Sequence, residues 1–339
     1  QPLVQVLFNH SPHLHLAPNI RPSLNQENLE AAQDVLANIT ALTRLRQLPG
    51  LKSFCQETSS EVLPSAHAFS RVIHYLEQVF RSQKGVLGVD IGPAGMSLSA
   101  VVQGKLTQAV YPQPALVEAL PVNDLVNPIS DWLASPGISD ARIKEYLLNQ
   151  ALYPRALPVT EPDLAIRHAQ SRAALRRLLA DVERDFPGAI RYLDTGKLSS
   201  VEPILVAGSL IAGLPNLSQA CLTLIDGLQP NGITTLLLDP CQVAAAIGAL
   251  AGTHPVMAAQ VLDSNVLIHL ATVITPLGIA PAGTPVLRIR ILFDEGHEKL
   301  MDIRQGDLEV IPLPDGQRAS LQLQPFHRYD IGMGGAGRG

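Results

Sequence analysis

Aromatic residues make up only 4% of this chain, and that scarcity removes one class of function at the outset. Single-stranded nucleic acids are held on aromatic platforms where bases stack, beside a basic groove. With few such side chains and a net charge of −5, neither nucleic acid nor an anionic membrane is an expected partner. Charged residues of both signs amount to 16%, below the ~25% of average globular usage. Cysteine is scarcer: Cys55, Cys221 and Cys241 are odd in number, far apart and fit no metal spacing. Cys221 and Cys241 lie in apolar surroundings and read as small buried hydrophobes, which points to a reducing compartment. No signal peptide is visible and no apolar run reaches the ~18–20 residues of a membrane span. The expectation is a soluble, cytoplasmic protein.

What the chain has instead is aliphatic bulk. Of its 339 residues 46% are hydrophobic, enough for two or three domains with large cores and incompatible with disorder. Arg167, Arg172, Arg176, Arg177 and Arg184 gather on one predicted helix and are expected to form its solvated face. Both ends read as cut: Gln1 opens directly on the apolar stretch Pro2 to Phe8, and the chain stops in glycine-rich loop composition after Gly332.

Periodicity divides the chain. Pro2–Phe8 has the length of a helix end or a strand, and Leu14–Ala17 that of a brief strand. A long helix is expected from a cap at Ser23 or Asn25 to Pro49-Gly50, and another opening at Ser65. The period then changes from 3.6 to 2. Val86–Val89, Met96–Val102 and a third strand ending near Tyr111 are close enough to require an antiparallel meander. Helices are expected at Asn123–Leu133, Ser139–Leu152 and Glu161–Phe186, the last with Pro162 in its first turn. Ile204–Ala207 and Thr234–Leu238 read as buried strands, followed by helices Ser218–Leu228 and Gln242–Ala251. From about Gln260 only strands are expected: Leu267–Ile274, Val286–Phe293, Glu298–Ile303, Leu308–Ile311 and Ser320–Gln324, as a small sandwich or barrel.

Two turns carry chemistry. In Asp90-Ile91-Gly92-Pro93-Ala94-Gly95, glycine lets backbone N–H groups approach an anion, and Asp90 is placed to hold a metal-bound water beside phosphates. Turn geometry alone also accounts for Asp and Gly there. Gly208-Ser209 ends a buried strand, where ligands of open α/β sheets gather, although loop packing explains a glycine equally. His10, His13 and His15 have no fourth zinc ligand at matching spacing. No catalytic hydrolase or Walker-type motif is present.

The order of these pieces resembles the glutamate mutase L family, actin-like proteins associated with cobalamin-dependent mutases. Asn19-Ile20-Arg21-Pro22, Leu63-Pro64-Ser65-Ala66, Gly88-Val89-Asp90-Ile91-Gly92, Val206-Ala207-Gly208-Ser209 and Gly232 through Asp239 carry the resemblance over nearly the whole chain. It implies an α/β fold with an actin/hexokinase-like (ribonuclease-H-like) core, truncated at the N-terminus, with a C-terminal all-β module. Residues 1–84 would close a first actin-like half, 85–258 form the second half with a helical insertion, and 259–339 the β-rich module, C-terminally incomplete. It also implies ATP or ADP with Mg at Asp90, Gly92, Gly95, Gly208 and Ser209, with Asp90 on the metal. The expected partner is a cobalamin-dependent mutase, with no cobalamin bound by this chain. The family's N-terminal Asp-x-Gly-Ser loop is absent. Its Gly-Ala-Thr-Thr-Asp continuation is replaced by Pro93-Ala94-Gly95-Met96-Ser97, which lacks both Thr hydroxyls and the second Asp. The expectation is therefore nucleotide binding without efficient hydrolysis. The alternatives are a non-catalytic actin-like scaffold, or a small-molecule kinase with Asp239 as its best-placed acid.

Overall fold

The computed structural model describes residues 2–11, 14–24, 28–58, 62–80, 84–92, 95–102, 104–111, 122–133, 137–186, 201–314, 316–326, 328–333 and 335–338. Three helices come first: α1 (Pro2–His10), α2 (Glu30–Gln47) and α3 (Leu51–Thr58). Then α4 (Ser65–Phe80) leads into β1 (Val86–Gly92), β2 (Gly95–Val102) and β3 (Lys105–Tyr111). A helical stretch follows, α5 (Val122–Ser130), α6 (Asp140–Leu152) and α7 (Glu161–Asp185). The chain returns to the sheet through β4 (Ile204–Ala207), α8 (Ser209–Ala212), α9 (Leu217–Leu228) and β5 (Gly232–Leu238). After α10 (Ala244–Ala251) and α11 (Pro255–Asp263) come β6 (Ile268–Thr275), β7 (Pro285–Phe293), β8 (Glu298–Arg304) and β9 (Ala319–Pro325).

Local chemistry sets several of these starts. Ser139 accepts a hydrogen bond from the Arg142 N–H and Thr160 one from the Asp163 N–H, opening α6 and α7. Pro162 sits in the first turn of α7, where its missing N–H costs nothing. The Asn216 carbonyl oxygen accepts from both Ser218 and Gln219 at the head of α9.

Six strands form the main sheet in the order β3-β2-β1-β4-β5-β6. β1 pairs antiparallel with β2, and β2 with β3, while β1, β4 and β5 run parallel. The 3-2-1-4-5 order, with its middle strand β1 joined to an antiparallel hairpin, is the ribonuclease-H-like core of the actin type. β4 is buried along its whole length, as a strand covered on both faces must be. One face packs Leu87, Val89, Ile91, Leu98 and Val206 against α7, α8 and α9. The other packs Val86, Val101, Leu205 and Ala207 against α4, α10 and α11.

Several expectations are corrected. The strand expected to open the β tail is β6, which pairs antiparallel with β5 and extends the main sheet. The tail itself is a three-stranded sheet, β8-β7-β9, not a sandwich or barrel. Its covered face shares a cluster around Leu287, Ile289, Ile291, Tyr329 and Ile331. Residues 308–311 and 14–17 form no strand; of the two readings of Pro2–Phe8, the helix is the one observed. The long helix starts at Glu30, past the expected caps, and its N-cap Leu29 makes no side-chain bond. Asn25 lies outside the described residues.

The arginine helix is not a solvated face throughout. Arg167 is 3% exposed and donates to the Tyr146 hydroxyl and the Ala156 carbonyl, each at 2.9 Å. Arg172 pairs with Asp226 at 2.6 Å. Cys241 is exposed, against expectation, whereas Cys221 is half-buried and packs against the core on the α7 side. Among the described residues no helix is long and apolar enough to cross a membrane.

Candidate functional site

The carboxyl ends of β1, β4 and β5 lie side by side, which brings Asp90, Gly208 and Asp239 together. In β1, register decides what each residue faces. Leu87, Val89 and Ile91 belong to the core on the α7 side, so Asp90 projects to the other face, toward α4 and α10. Ser97 of β2 is its Cα partner across the ladder and is buried beside it. Ala207 is its partner on β4.

β1 runs through Gly92 and β2 begins at Gly95, and these two glycines are paired. Asp90, Ile91 and Gly92 are therefore strand residues, and the turn is shorter than the Asp90–Gly95 expected. Pro93 and Ala94 lie outside the described residues. Among the described residues a Cβ at Gly92 would meet only the Gly95 carbonyl oxygen, at 3.6 Å, and its φ is not in the left-handed region.

Gly208 is different. Its φ of +97° with ψ of 151° is a conformation essentially limited to glycine. A Cβ there would collide with the Ile91 carbonyl oxygen and stand 2.5 Å from Asp90 Oδ1. The backbone after β4 thus turns directly against the Asp90 carboxyl. Ser209 follows at the head of α8, and its hydroxyl is buried with no hydrogen-bond partner. α8 is braced from behind by the Ser171 hydroxyl of α7, which donates to the Leu210 carbonyl at 3.2 Å.

The two carboxylates have opposite environments. Asp239 is 0% exposed, and its oxygens accept from the Val243 N–H at 3.1 Å and the Ala244 N–H at 2.7 Å. It is the cap of α10, fixed and satisfied. Asp90 receives no hydrogen bond from any described residue. Burial pushes its pKa above the ordinary aspartate value, and the neighbouring charge of Asp239 adds to the rise. A half-buried, undonated carboxylate beside a second one has the chemistry of a group awaiting a cation or a proton.

The sequence singled out Asp90, Gly92, Gly95, Gly208 and Ser209 and offered Asp239 only as an acid; of these the structure places Asp90, Gly208 and Asp239 side by side. The capping role of Asp239 was signalled by an aspartate at a strand end four to five residues ahead of a run of alanines. Met96 is buried on the opposite, apolar face, with Leu98 and Ile91. The hydroxyl nearest Asp90 in register is that of Ser97, where the family motif has its second aspartate. His10 lies in α1, His15 in irregular chain, and His13 outside the described residues. Among the described residues no group of three or more His, Cys, Asp or Glu could hold a metal ion.

A family model described as MutL protein matches residues 1–266. No curated protein matches the sequence. Among solved structures, component A of the (R)-2-hydroxyglutaryl-CoA dehydratase of Acidaminococcus fermentans is similar at 13% identity and a TM-score of 0.29, over 57% of this chain and 69% of that one. An archaeal actin homolog is similar at 12% identity and 0.28, over 56% and 55%. A chain of the PilM–PilN type IV pilus biogenesis complex is similar at 19% and 0.26, over 56% and 52%. The chain thus spans about half the length of the latter two.

Proposed function

Since the chain belongs to the MutL protein family, the glutamate mutase L component, we propose that it is an accessory protein of a cobalamin-dependent mutase that holds a nucleotide at the ends of β1, β4 and β5. Family membership carries the mutase partner. The nucleotide is supported by one local observation: the glycine-only turn at Gly208 stands against the undonated Asp90 carboxyl, and the hydroxyl of the next residue, Ser209, is buried without a partner among the described residues. A phosphate oxygen would accept from Ser209, and Asp90 would hold a Mg²⁺-bound water. The metal would supply the positive charge that two adjacent carboxylates call for. Cobalamin has no place in this reading and stays with the mutase.

Hydrolysis is expected to be poor. Phosphoryl transfer needs fixed donors around the developing charge. Pro93 offers no N–H, Met96 no hydroxyl, and Asp239 is committed to α10. The same engagement counts against Asp239 as the base of a small-molecule kinase, since both oxygens accept a bond from α10 and the side chain is wholly buried.

The second reading, a scaffold that has lost its nucleotide, is favoured by those depleted donors. Thermal denaturation of the full-length protein separates the two. A ligand at one hundred times its Kd stabilises by about 2.7 kcal/mol, which reads as a shift of several degrees. A rise in Tm with ATP or ADP that depends on Asp90 supports nucleotide binding. No shift with any nucleotide, alongside a stable complex with the mutase, leaves the scaffold standing. Absence of any mutase association defeats the accessory reading.

A further inference from the structure

A second polar concavity, lined by none of the residues of that site, lies between α2, α4 and β3. It encloses about 280 Å³ and is lined by Gln33, Asp34, His67, Arg71 and His74, with Leu106 of β3 as an apolar wall. Residues 67, 71 and 74 follow helical i, i+4, i+7 spacing, so three nitrogen-bearing side chains share one face of α4. None of them serves the nucleotide site.

Three observations give this hollow a chemistry. Arg71 has no carboxylate within ion-pair distance among the described residues. Its Nη1 packs against Gly252 at the C-terminal end of α10, which leaves further donors of the five-donor guanidinium for the cavity. Gln33 donates from Nε2 to the Gln108 carbonyl at 3.3 Å, which orients the amide, and its Oε1 is buried without any partner. A buried acceptor in that state is unfavourable until a donor reaches it. Asp34, the only carboxylate lining the cavity among the described residues, is 60% exposed and directed at His67 Nε2, 3.7 Å away. The one opposing charge therefore sits at the rim. Burial, and then the charge of Arg71, hold the His67 pKa below its usual value, so its imidazole is neutral and free to donate or accept.

We propose that this concavity binds a small metabolite in which an anionic group lies beside a hydroxyl, the anion taken by Arg71 and His74 and the hydroxyl donating to Gln33 Oε1. The volume is below the ~300–1,000 Å³ of drug-sized pockets and suits a ligand of few heavy atoms. The site holds whether or not Asp90 and Gly208 take a nucleotide, so its failure leaves that reading untouched.

The test is a titration of the full chain, ring-labelled at histidine, with glycerol 3-phosphate and separately with glycolate. The His67 and His74 ring resonances should shift saturably with at least one of them, and whichever binds more tightly names the anion as phosphate or carboxylate. Arg71→Gln should weaken that affinity at least tenfold. Gln33→Ala, which leaves the Arg71–Gly252 packing intact, should weaken it severalfold. Absence of a saturable shift with both probes, or an affinity unchanged in either variant, overturns the proposal.

Discussion

Asp239 and Asp90 are the same side chain at equivalent strand ends, and the difference between them is who donates. Two N–H groups at the head of α10 would otherwise be orphaned in a buried position, and Asp239 satisfies both. Asp239→Ala is expected to cost about 1–3 kcal/mol, the penalty of unpaired buried donors, seen as a lowered Tm and faster exchange of the Val243 and Ala244 amides. Asp90 has the opposite sign. Its native pKa is raised above 3.8, by burial first and by Asp239 second, so the folded state binds its proton more tightly than the unfolded state. Stability from this group is therefore lost as pH rises from 3.8 through the raised native value. Asp90→Asn should flatten that decline and raise Tm at pH 7 without nucleotide, while removing any Mg-dependent shift. A variant less stable than the parent at pH 7 would show that the carboxylate is stabilised by something not seen here. Asp90 was legible in the sequence because an aspartate and glycines ended an apolar strand. Asp239 was half legible: its strand end was clear, but its commitment depends on where α10 begins.

At the scale of elements, α10 explains why a run of small residues was chosen. The sequence marks it as a helix able to pack closely on a sheet, and the close approach is real, but against α4. A Cβ on Gly248 would run into the Ala68 carbonyl oxygen, backbone against backbone, so neither helix can yield cheaply. Gly248→Val is expected to destabilise by about 1–3 kcal/mol or more through overpacking, measured as a fall in the denaturant midpoint. It should also weaken nucleotide binding, since α10 carries the Asp239 cap; an unchanged midpoint would mean that α4 and α10 slide freely. The long, strongly capped helices α6, α7 and α9 were all legible, because their caps and apolar stripes agree. The elements missed were α3, α8 and α11, of eight, four and nine residues. Such short helices carry too few turns for a period to register, and tertiary packing decides them. Arg167 was misread for a related reason. Its helix presents arginines along its length, and only the placement of Tyr146 and Ala156 turns one of them inward.

Across the whole molecule, the least legible fact was the fate of β6. Its alternation and flanking turns match those of β7, β8 and β9, and nothing in a two-residue period says which sheet a strand will join. Pairing with β5 along Gly232 to Leu238 decides it, leaving the tail with three strands. The two sheets then differ in how they are held. β1 and β4 are covered by helices on both faces, whereas β8 and β9 are the edges of a sheet covered on one face only. The open face of that smaller sheet carries the ion pairs Arg288–Asp302 at 2.7 Å and Arg290–Glu298 at 2.5 Å. Both are exposed to water and salt, which screen them, so they add little to hold the sheet shut. The apolar link between the two sheets is narrow among the described residues: half-buried Ile274 of β6 packs on the cluster that contains Ile289 and Tyr329. Opening of the tail therefore exposes far less apolar surface than opening of the main sheet. Native-state hydrogen exchange should find the amides of β8 and β9 exchanging at least about tenfold faster than those of β1 and β4, by an opening that leaves the main sheet closed. Nucleotide should slow exchange in β1 and β4 and leave the tail unchanged. Equal protection in both sheets would mean that the Ile274 contact welds them into one cooperative unit.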